Sequence, residues 1–221
     1  MYFDVNVDGR YPIDEANALL ENECDGMCFN NTVDARDVMQ MKQHDLLVLE
    51  GKQVFRRVEI RYSRVDELPS MEVVEAIRRT MKCIVAVLMN ESRDFEAIMR
   101  IEPDIIAFDF SKRICFPDKM VEEAAKKNIF FELRIAEGLY MKKEKTIWMR
   151  NIRKLLAITK GVNVIVSSGA ACNTEVKRPF EFVSVLQGVG VDESCARRVL
   201  MNSARMLRSC KYLICGETRM R

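Results

Sequence analysis

The first stretch that could do chemistry is a short apolar run that ends in small polar residues. Residues 164–166 are Val-Ile-Val, a pattern typical of a buried parallel strand, and Ser167, Ser168 and Gly169 follow directly. Hydroxyl groups, free backbone N–H groups and a glycine that permits a turn are features of anion-binding loops at the carboxyl ends of strands. An ordinary turn at the end of a strand explains the same residues.

Two cations and a helix start come a few residues later. Lys177 and Arg178 precede Pro179, and proline is favoured at the first position of a helix. If the cations, the helix amino terminus and the strand end lie together, they form a site for an anion such as a phosphate group. One hypothesis is therefore a small metal-dependent phosphoesterase that uses residues 167–169.

The chain has few of the residues that a catalytic metal centre needs. His44 is the only histidine, whereas metallohydrolase barrels hold their metals with several imidazoles and carboxylates. Asp4, Asp104 and Asp109 fall on predicted strands and are interpreted as hydrogen-bonded structural carboxylates. Cys172 has no histidine partner that would activate it as a nucleophile, and no phosphate-loop, dinucleotide or serine-hydrolase motif is present. We therefore expect no catalytic residues, no metal ligands and no cofactor bound by this chain.

Basic side chains form a larger set of candidates, although the net charge of the chain is only +2. Residues 142–154 contain six cations and one acid, and residues 197–221 contain seven cations and one acid. Clustered arginine and lysine side chains are typical of proteins that bind phosphate groups of nucleic acids, and a solvated surface is the alternative. The predicted RNA-contacting residues are Lys112, Arg113, Arg134, Arg150, Lys177, Arg178, Arg197 and Arg198.

The last helical region places four arginines near one side. If this helix runs unbroken from Asp192, the four project within about 100° of one another, because successive residues of a helix are rotated by about 100°. A break at Asn202 and Ser203 would separate them. The four are Arg197, Arg198, Arg205 and Arg208. Aromatic residues make up only 8% of the chain, which favours contact with an RNA duplex or backbone over base stacking.

The segments that must position these residues alternate between strands and helices. Strands are predicted at residues 2–7, 26–30, 54–62, 83–88, 104–110, 129–135 and from 162, with one more candidate at 212–215. Helices are predicted at 13–20, near Thr32 or Asp34, from Pro69, from Ser92, from Pro117, and from Thr146 to Gly161. Alternation of this kind forms a parallel sheet, and seven or eight units predict one TIM-like (β/α) barrel domain over residues 1–221.

Composition places the chain among globular intracellular proteins. Hydrophobic residues make up 48% and charged residues 31%, and no apolar run approaches the roughly 18 residues of a membrane span. Eight cysteines occur without a Cys-x-x-Cys pair, mostly within apolar stretches. This usage is typical of reduced core thiols, so we expect an intracellular protein with no membrane partner.

Several segments taken together resemble one family. They are YFDVNV at 2–7, DIIAFDFSKR at 104–113, FFELR at 130–134, GVNVIVSSGAA at 161–171, EVKRPFEFVSVLQGVGVDE at 175–193 and CGETR at 215–219. Over nearly the whole chain they are similar to the thirty-kilodalton protein subunit shared by ribonuclease P and ribonuclease MRP. The resemblance implies a barrel related to the polymerase-and-histidinol-phosphatase type, whose hydrolases carry His-x-His on the first strand. Here that place reads Asp4-Val5-Asn6, which implies that the metal ligands are missing.

The resemblance also implies a function and partners. It implies a non-catalytic RNA-binding subunit of a ribonucleoprotein in which the RNA, with Mg²⁺, removes 5′ leaders from precursor tRNA. The implied partners are ribonuclease P RNA and MRP RNA, a small ferredoxin-like subunit, other protein subunits and, indirectly, precursor tRNA. The location would be the nucleus, including the nucleolus, in a eukaryote and the cytoplasm in an archaeon. The family's functional residues correspond to Lys112, Arg113, Arg134, Ser167, Ser168 and Gly169, extended by Lys177 and Arg178.

Overall fold

Seven parallel strands form the centre of the protein. The computed structural model describes residues 1–12, 19, 21, 23–41, 49, 51–140 and 143–210. The strands are β1 Phe3–Asp8, β2 Gly26–Asp34, β3 Gln53–Arg61, β4 Cys83–Met89, β5 Ile105–Phe108, β6 Phe130–Arg134 and β7 Val164–Ser167. Each strand pairs in parallel with the next one along the chain. The edge strands also meet, since the Asp8 N–H donates to the Ala170 carbonyl at 2.8 Å and the Gly169 N–H to the Asn6 carbonyl at 3.0 Å. The result is a nearly closed barrel, which confirms the predicted TIM-like fold.

Seven helices of the described part of the chain accompany the strands. They are α1 Met71–Met81, α2 Phe95–Ile101, α3 Asp118–Lys126, α4 Ile135–Tyr140, α5 Lys145–Thr159, α6 Pro179–Gly188 and α7 Glu193–Ser209. Their apolar sides pack on the outward side chains of the strands. In α5 the buried residues Trp148, Ile152 and Leu155 recur at helical spacing, as predicted. No helix among the described residues combines the length and apolarity that crossing a bilayer requires.

The interior of the barrel has its own apolar cluster, which α7 completes. Phe3, Ile105 and Phe130, at the first positions of their strands, belong to the same buried cluster as Met206 and Leu207 of α7. The second half of α7 therefore covers the amino-terminal mouth of the barrel, the end at which the strands begin.

The prediction of a helix near Thr32 or Asp34 is wrong. These residues belong to β2, which pairs with β3 along its whole length, up to Asp34 opposite Arg61. Their capping preference is overridden because the nine-residue pairing satisfies the backbone N–H and C=O groups of this segment. The candidate strand at 212–215, His44 and most of residues 13–20 lie outside the described residues.

Several predicted boundaries shift by one turn or less. Ile135 begins α4 instead of ending β6, and β7 begins at Val164. Thr146 lies inside the first turn of α5, and α2 starts at Phe95 after a short 3-10 turn. Gly161 follows the end of α5 with a φ of +75°, the left-handed conformation expected for a residue after a helix end.

Candidate functional site

The serine-rich strand end lies inside the barrel. Ser167 and Ser168 are fully buried. The Ser167 hydroxyl donates to Glu132 Oε1 at 2.7 Å, and the Ser168 N–H donates to Asp4 Oδ1 at 3.1 Å. An anion at this place would meet two carboxylates and find the serine donors already used. The structure therefore does not support the anion site predicted at Ser167, Ser168 and Gly169.

Two arginines and two glutamates fill the barrel at the same level. The side chains of Arg57, Glu59 and Glu132 have no exposed surface, and that of Arg134 is 6% exposed. Arg57 donates from both terminal nitrogens to Glu132, with two distances of 2.6 Å. Arg134 donates to Glu132 at 3.2 Å and also to Glu59. Side chains of opposite charge thus alternate across the barrel in a bidentate network.

Two members of this network, Glu132 and Arg134, stay charged although they are buried. Burial opposes the ionisation of Glu132, but the attraction of Arg57 and Arg134 outweighs burial and holds the pKa of Glu132 well below its usual value. Burial likewise disfavours the charged form of Arg134, and the carboxylates of Glu132 and Glu59 raise its pKa in spite of this. Glu132 and Arg134 are therefore both ionised at neutral pH.

This interior does not fit a catalytic metal centre. Arg57 and Arg134 already supply the positive charges that its carboxylates face. Asn6, on the first strand, donates its side-chain N–H to Glu132 at 3.0 Å. Within the part of the chain that the structure describes, no three histidine, cysteine, aspartate or glutamate side chains are grouped so that they could hold a metal ion.

Another buried carboxylate, that of Asp4, lies at the seam between β1 and β7. Its Oδ1 accepts N–H groups of Ser168 at 3.1 Å and Asn6 at 3.3 Å. Its Oδ2 is buried and has no hydrogen-bond partner among the described residues. Burial disfavours the charged form more than these hydrogen bonds favour it, and the nearby Glu132 adds repulsion. The pKa of Asp4 is raised to about 6.

We expect Asp4→Asn to remove a pH-dependent part of the stability. Because the folded protein holds this proton more tightly, the stabilisation is complete below the unfolded pKa of about 4 and is lost as the pH rises through about 6. The free energy of unfolding of the wild type should therefore fall across this window, with a contribution from Asp4 of up to about 1.4 kcal/mol per pH unit. Urea unfolding of both proteins from about pH 4 to pH 7 measures the difference.

The control for this prediction is Asp34→Asn. Asp34 pairs with Arg36 on the surface, and hydrogen bonds from Arg36 lower its pKa to about 2. This variant should keep the slope of the wild type between about pH 5 and pH 6, because the contribution of Asp34 is lost only as the pH falls below about 5. A slope that Asp4→Asn leaves unchanged would contradict the raised pKa of Asp4.

The predicted RNA-contacting residues do not form one surface. Arg134 lies in the barrel network, so it has no exposed face to offer an RNA. Lys112, Arg113, Lys177 and Arg178 follow β5 and β7 and lie at the carboxyl rim, the end at which the strands finish. Arg150, Arg197 and Arg198 are exposed on α5 and α7.

Local contacts hold several of the rim cations. Lys112 pairs with Asp109 at 2.9 Å. The Lys177 ammonium donates to the Thr174 carbonyl at 2.6 Å. Arg178 is the residue before α6, whose first position is Pro179 as predicted. These cations are at least partly accessible. The hydroxyl groups of the buried serines and the Ser168 N–H form hydrogen bonds with Asp4, Asn6, Glu132 and Ala170.

The rim also carries ion pairs that were not predicted from the sequence. We call four of them the rim pairs: Arg10–Asp8 at 3.1 Å, Arg36–Asp34 at 2.9 Å, Arg93–Glu91 at 2.8 Å, and Arg64–Asp66. In each pair the two residues are separated by one residue, a spacing that can be read directly in the sequence. Because each arginine pairs with its own carboxylate, the rim pairs add no net charge.

The outer surfaces of α5 and α7 differ from the rim in their charge balance. Each helix contains four basic residues, eight in total, and Glu193 is the single acid in the two. The helix α7 is unbroken, which confirms the continuous helix on which the predicted arginine stripe depends. We call the following exposed residues the α5–α7 face: Arg150, Arg153, Lys154, Lys160, Arg197, Arg198, Arg205 and Arg208.

Two contacts join α5 to the α7 region. Arg198 of α7 donates to the carbonyl of Lys160, at the end of α5, at 2.8 Å. Arg153 of α5 donates to the carbonyl of Val189, in the loop before α7. These contacts place Arg153 and Arg198 where α5 and its end meet the α7 region.

Comparison with known proteins gives a similar plant protein and a matching family model. Protein GAMETOPHYTE DEFECTIVE 1 of Arabidopsis thaliana is 26% identical over 166 residues, which is 73% of this chain. The chain spans only 29% of the length of that relative. A family model described as RNase P subunit p30 matches residues 1–213.

Solved structures share the fold. A chain in the cryo-EM structure of archaeal ribonuclease P with mature tRNA has a TM-score of 0.72 at 16% identity, covering 98% of this chain and 94% of that one. A Xaa-Pro dipeptidase with bound methionine in the active site has a TM-score of 0.64 at 11% identity, covering 94% and 75%. At these identities the two likenesses show the barrel alone. The match of the family model over nearly the whole length shows more: the chain belongs to the RNase P subunit p30 family.

Proposed function

We propose that this chain is a non-catalytic, RNA-binding protein subunit of ribonuclease P, and also of ribonuclease MRP. The observation that carries RNA binding is the charge balance behind the α5–α7 face: the helices α5 and α7 together contain eight basic residues and one acid, Glu193. A surface of this kind attracts the phosphate backbone and releases counterions when it binds. The rim pairs, whose charges cancel, do not have this property.

The barrel interior supports the non-catalytic part of the proposal. A catalytic carboxylate needs a free face toward its substrate or metal, whereas Glu132 is held by Arg57, Arg134 and Ser167. In the proposed complex the RNA subunit and its Mg²⁺ carry out the removal of 5′ leaders from precursor tRNA. This chain contributes RNA contacts and surfaces for other protein subunits, including a small ferredoxin-like one. In a eukaryotic cell it would act in the nucleus.

The experiment that tests this function is capture of the tagged chain from its native cells, followed by sequencing of the bound RNA. We expect ribonuclease P RNA and MRP RNA, and we expect the captured material to cleave the 5′ leader of a precursor tRNA. A chain recovered without such RNA would overturn the proposal. The phosphoesterase alternative is tested separately, by incubating the folded, purified chain with simple phosphoesters and Mn²⁺ or Mg²⁺.

The double variant Lys177→Glu/Arg178→Glu should weaken RNA binding. Both residues lie at the carboxyl rim, and reversal replaces attraction to phosphate by repulsion. An acid at the amino end of α6 is favourable for the helix, so the variant should fold. We expect the slope of log affinity against log salt concentration to fall by about one for every phosphate group that the variant no longer binds. Filter binding or fluorescence anisotropy over a range of salt concentrations measures this slope.

The matched control is Lys119→Glu/Lys126→Glu. These two lysines are exposed on α3 and carry the same charge. If the control variant and the rim variant lose the same affinity, the rim makes no specific contact with RNA.

A further inference from the structure

Two arginines of the α5–α7 face are held in place by neutral groups. Arg153 and Arg198 both donate to backbone carbonyl oxygens, those of Val189 and Lys160. A carbonyl orients a guanidinium without cancelling its charge. Neither arginine forms an ion pair with any of the described residues.

Arg205 is held in the same way, on the same helix. It donates to the side-chain oxygen of Asn163, and its guanidinium lies 5.1 Å from the centre of the Phe130 ring. Both partners are uncharged, and the ring face attracts the cation. Arg205 follows Arg198 by seven residues, which is two helical turns or about 10 Å, so the two arginines project from one side of α7.

The rim arginines are held differently. In the rim pairs each arginine is bound to a carboxylate, as in Arg36–Asp34 at 2.9 Å and Arg93–Glu91 at 2.8 Å. A phosphate that approaches such a pair must compete with the carboxylate for the same donors. An arginine anchored on a neutral acceptor keeps its full charge, and little side-chain freedom remains to be lost when an anion binds.

We propose that Arg153, Arg198 and Arg205 form a preordered contact for phosphate groups of an RNA backbone. Each guanidinium has five N–H donors and uses only part of them on its neutral partner, so the others remain for phosphate oxygens. The contact reads the backbone and not the bases, since the nearby aromatic ring of Phe130 is buried under Arg205. This inference rests on the proposed function and assigns it to three residues.

The test compares two triple variants that remove the same charge. One is Arg153→Gln/Arg198→Gln/Arg205→Gln, and the other, taken from the rim pairs, is Arg36→Gln/Arg64→Gln/Arg93→Gln. Binding of the full chain to ribonuclease P RNA and to a synthetic RNA duplex is measured across salt concentrations. The first variant should lower the salt slope by about two to three, because each phosphate contact contributes about 0.7–0.9. The variant Arg36→Gln/Arg64→Gln/Arg93→Gln should lower the salt slope by less than about one. Thermal unfolding of each variant shows whether it is folded.

The outcomes separate this inference from the function on which it rests. If the wild type binds neither RNA, the proposed function and the inference both fail. If the wild type binds RNA and the two triple variants behave alike, only the anchored contact fails.

Lysine substitutions test the preordering itself. Arg198→Lys/Arg205→Lys keeps both charges. It replaces the planar guanidinium, whose several N–H donors can bind a neutral acceptor and a phosphate at the same time, by a single ammonium group. We expect an almost unchanged salt slope with roughly a tenfold lower affinity, since two side chains must now be ordered on binding. Wild-type affinity for the lysine variant would show that charge alone is enough and would overturn the preordering.

Discussion

Replacing Arg57 by methionine should lower the free energy of unfolding by about 3–5 kcal/mol. Methionine fills a similar volume, so the change removes the charge and the hydrogen bonds with little change in packing. The Glu132 carboxylate then loses its bidentate partner although its side chain has no exposed surface, and Glu59 loses one of its cations. An uncompensated buried charge is far more costly than a lost surface pair. Urea unfolding at neutral pH measures the difference.

Arg61→Met is the matched control for this prediction. Arg61 also pairs with Glu59, at 3.1 Å, but its side chain is 53% exposed. Its loss should cost no more than about 1 kcal/mol. The double variant Arg57→Met/Glu132→Met should recover part of the loss, because an apolar pair replaces an unpaired charge. An effect of Arg57→Met no larger than that of Arg61→Met would contradict a buried ion-pair network that depends on Arg57.

Gly138→Ala should also destabilise the protein, although alanine is the better helix former. Gly138 lies in α4, and a methyl group built on it would come within 1.8 Å of Cε2 of Trp148. Trp148 is fully buried and cannot withdraw, so the backbone of α4 must move. We expect a loss of about 1–3 kcal/mol or more in place of the gain of about 1 kcal/mol that helix propensity alone predicts.

A double-mutant cycle with Trp148→Ala tests the cause. Trp148→Ala alone should cost about 3–5 kcal/mol, because it leaves a cavity. In that background Gly138→Ala should become stabilising, since its methyl group now enters open space. Gly188→Ala is the control, because Gly188 lies in α6 and a methyl group there meets nothing within 4 Å. If Gly138→Ala has the same effect in both backgrounds, Trp148 is not the cause.

Local patterns were sufficient to predict the barrel. Apolar runs of strand length alternate with amphipathic helices, Gly161 follows the end of α5 as expected, and the expected proline occupies the first position of α6. Caps were less informative, as at Asp34, where strand pairing overrides the preference for a helix start. The exposed stripe on α7 was predictable because helical periodicity needs only that the helix is continuous.

The interior of the barrel could not be predicted in this way. Apolar and polar side chains alternate along β3, and this pattern puts Arg57 and Glu59 on the polar face. In a sheet with one solvated face, the polar face is the one that contacts solvent. In the protein this face points into the barrel, and Val58 and Ile60 pack outward. Charges are stable there only because Glu132 supplies a partner 75 residues along the chain from Arg57. No local pattern shows such a partner.

The absence of a local signal for distant partners also explains why an anion site was predicted at the strand-end serines. Ser167 and Ser168 have the residue types of an anion site, and the six residues on either side of the pair contain no acid. The excluding carboxylates are Asp4, which is 164 residues away from Ser168, and Glu132, 35 residues away from Ser167. The anion site predicted from residue types alone therefore left out the two carboxylates that repel an anion at this strand end.

Because α7 closes the barrel mouth, this mouth is covered only late in the synthesis of the chain on the ribosome. The backbone N–H of Phe3 donates to the hydroxyl of Ser203, a residue made 200 positions later. At synthesis rates of about 5–20 residues per second, the first strand waits roughly 10–40 s for this partner. During that time the apolar mouth lined by Phe3 and Phe130 lacks the cover that Met206 and Leu207 of α7 supply in the folded protein. The emerging protein is therefore exposed to aggregation until α7 is released, and this is the period in which a chaperone would matter most.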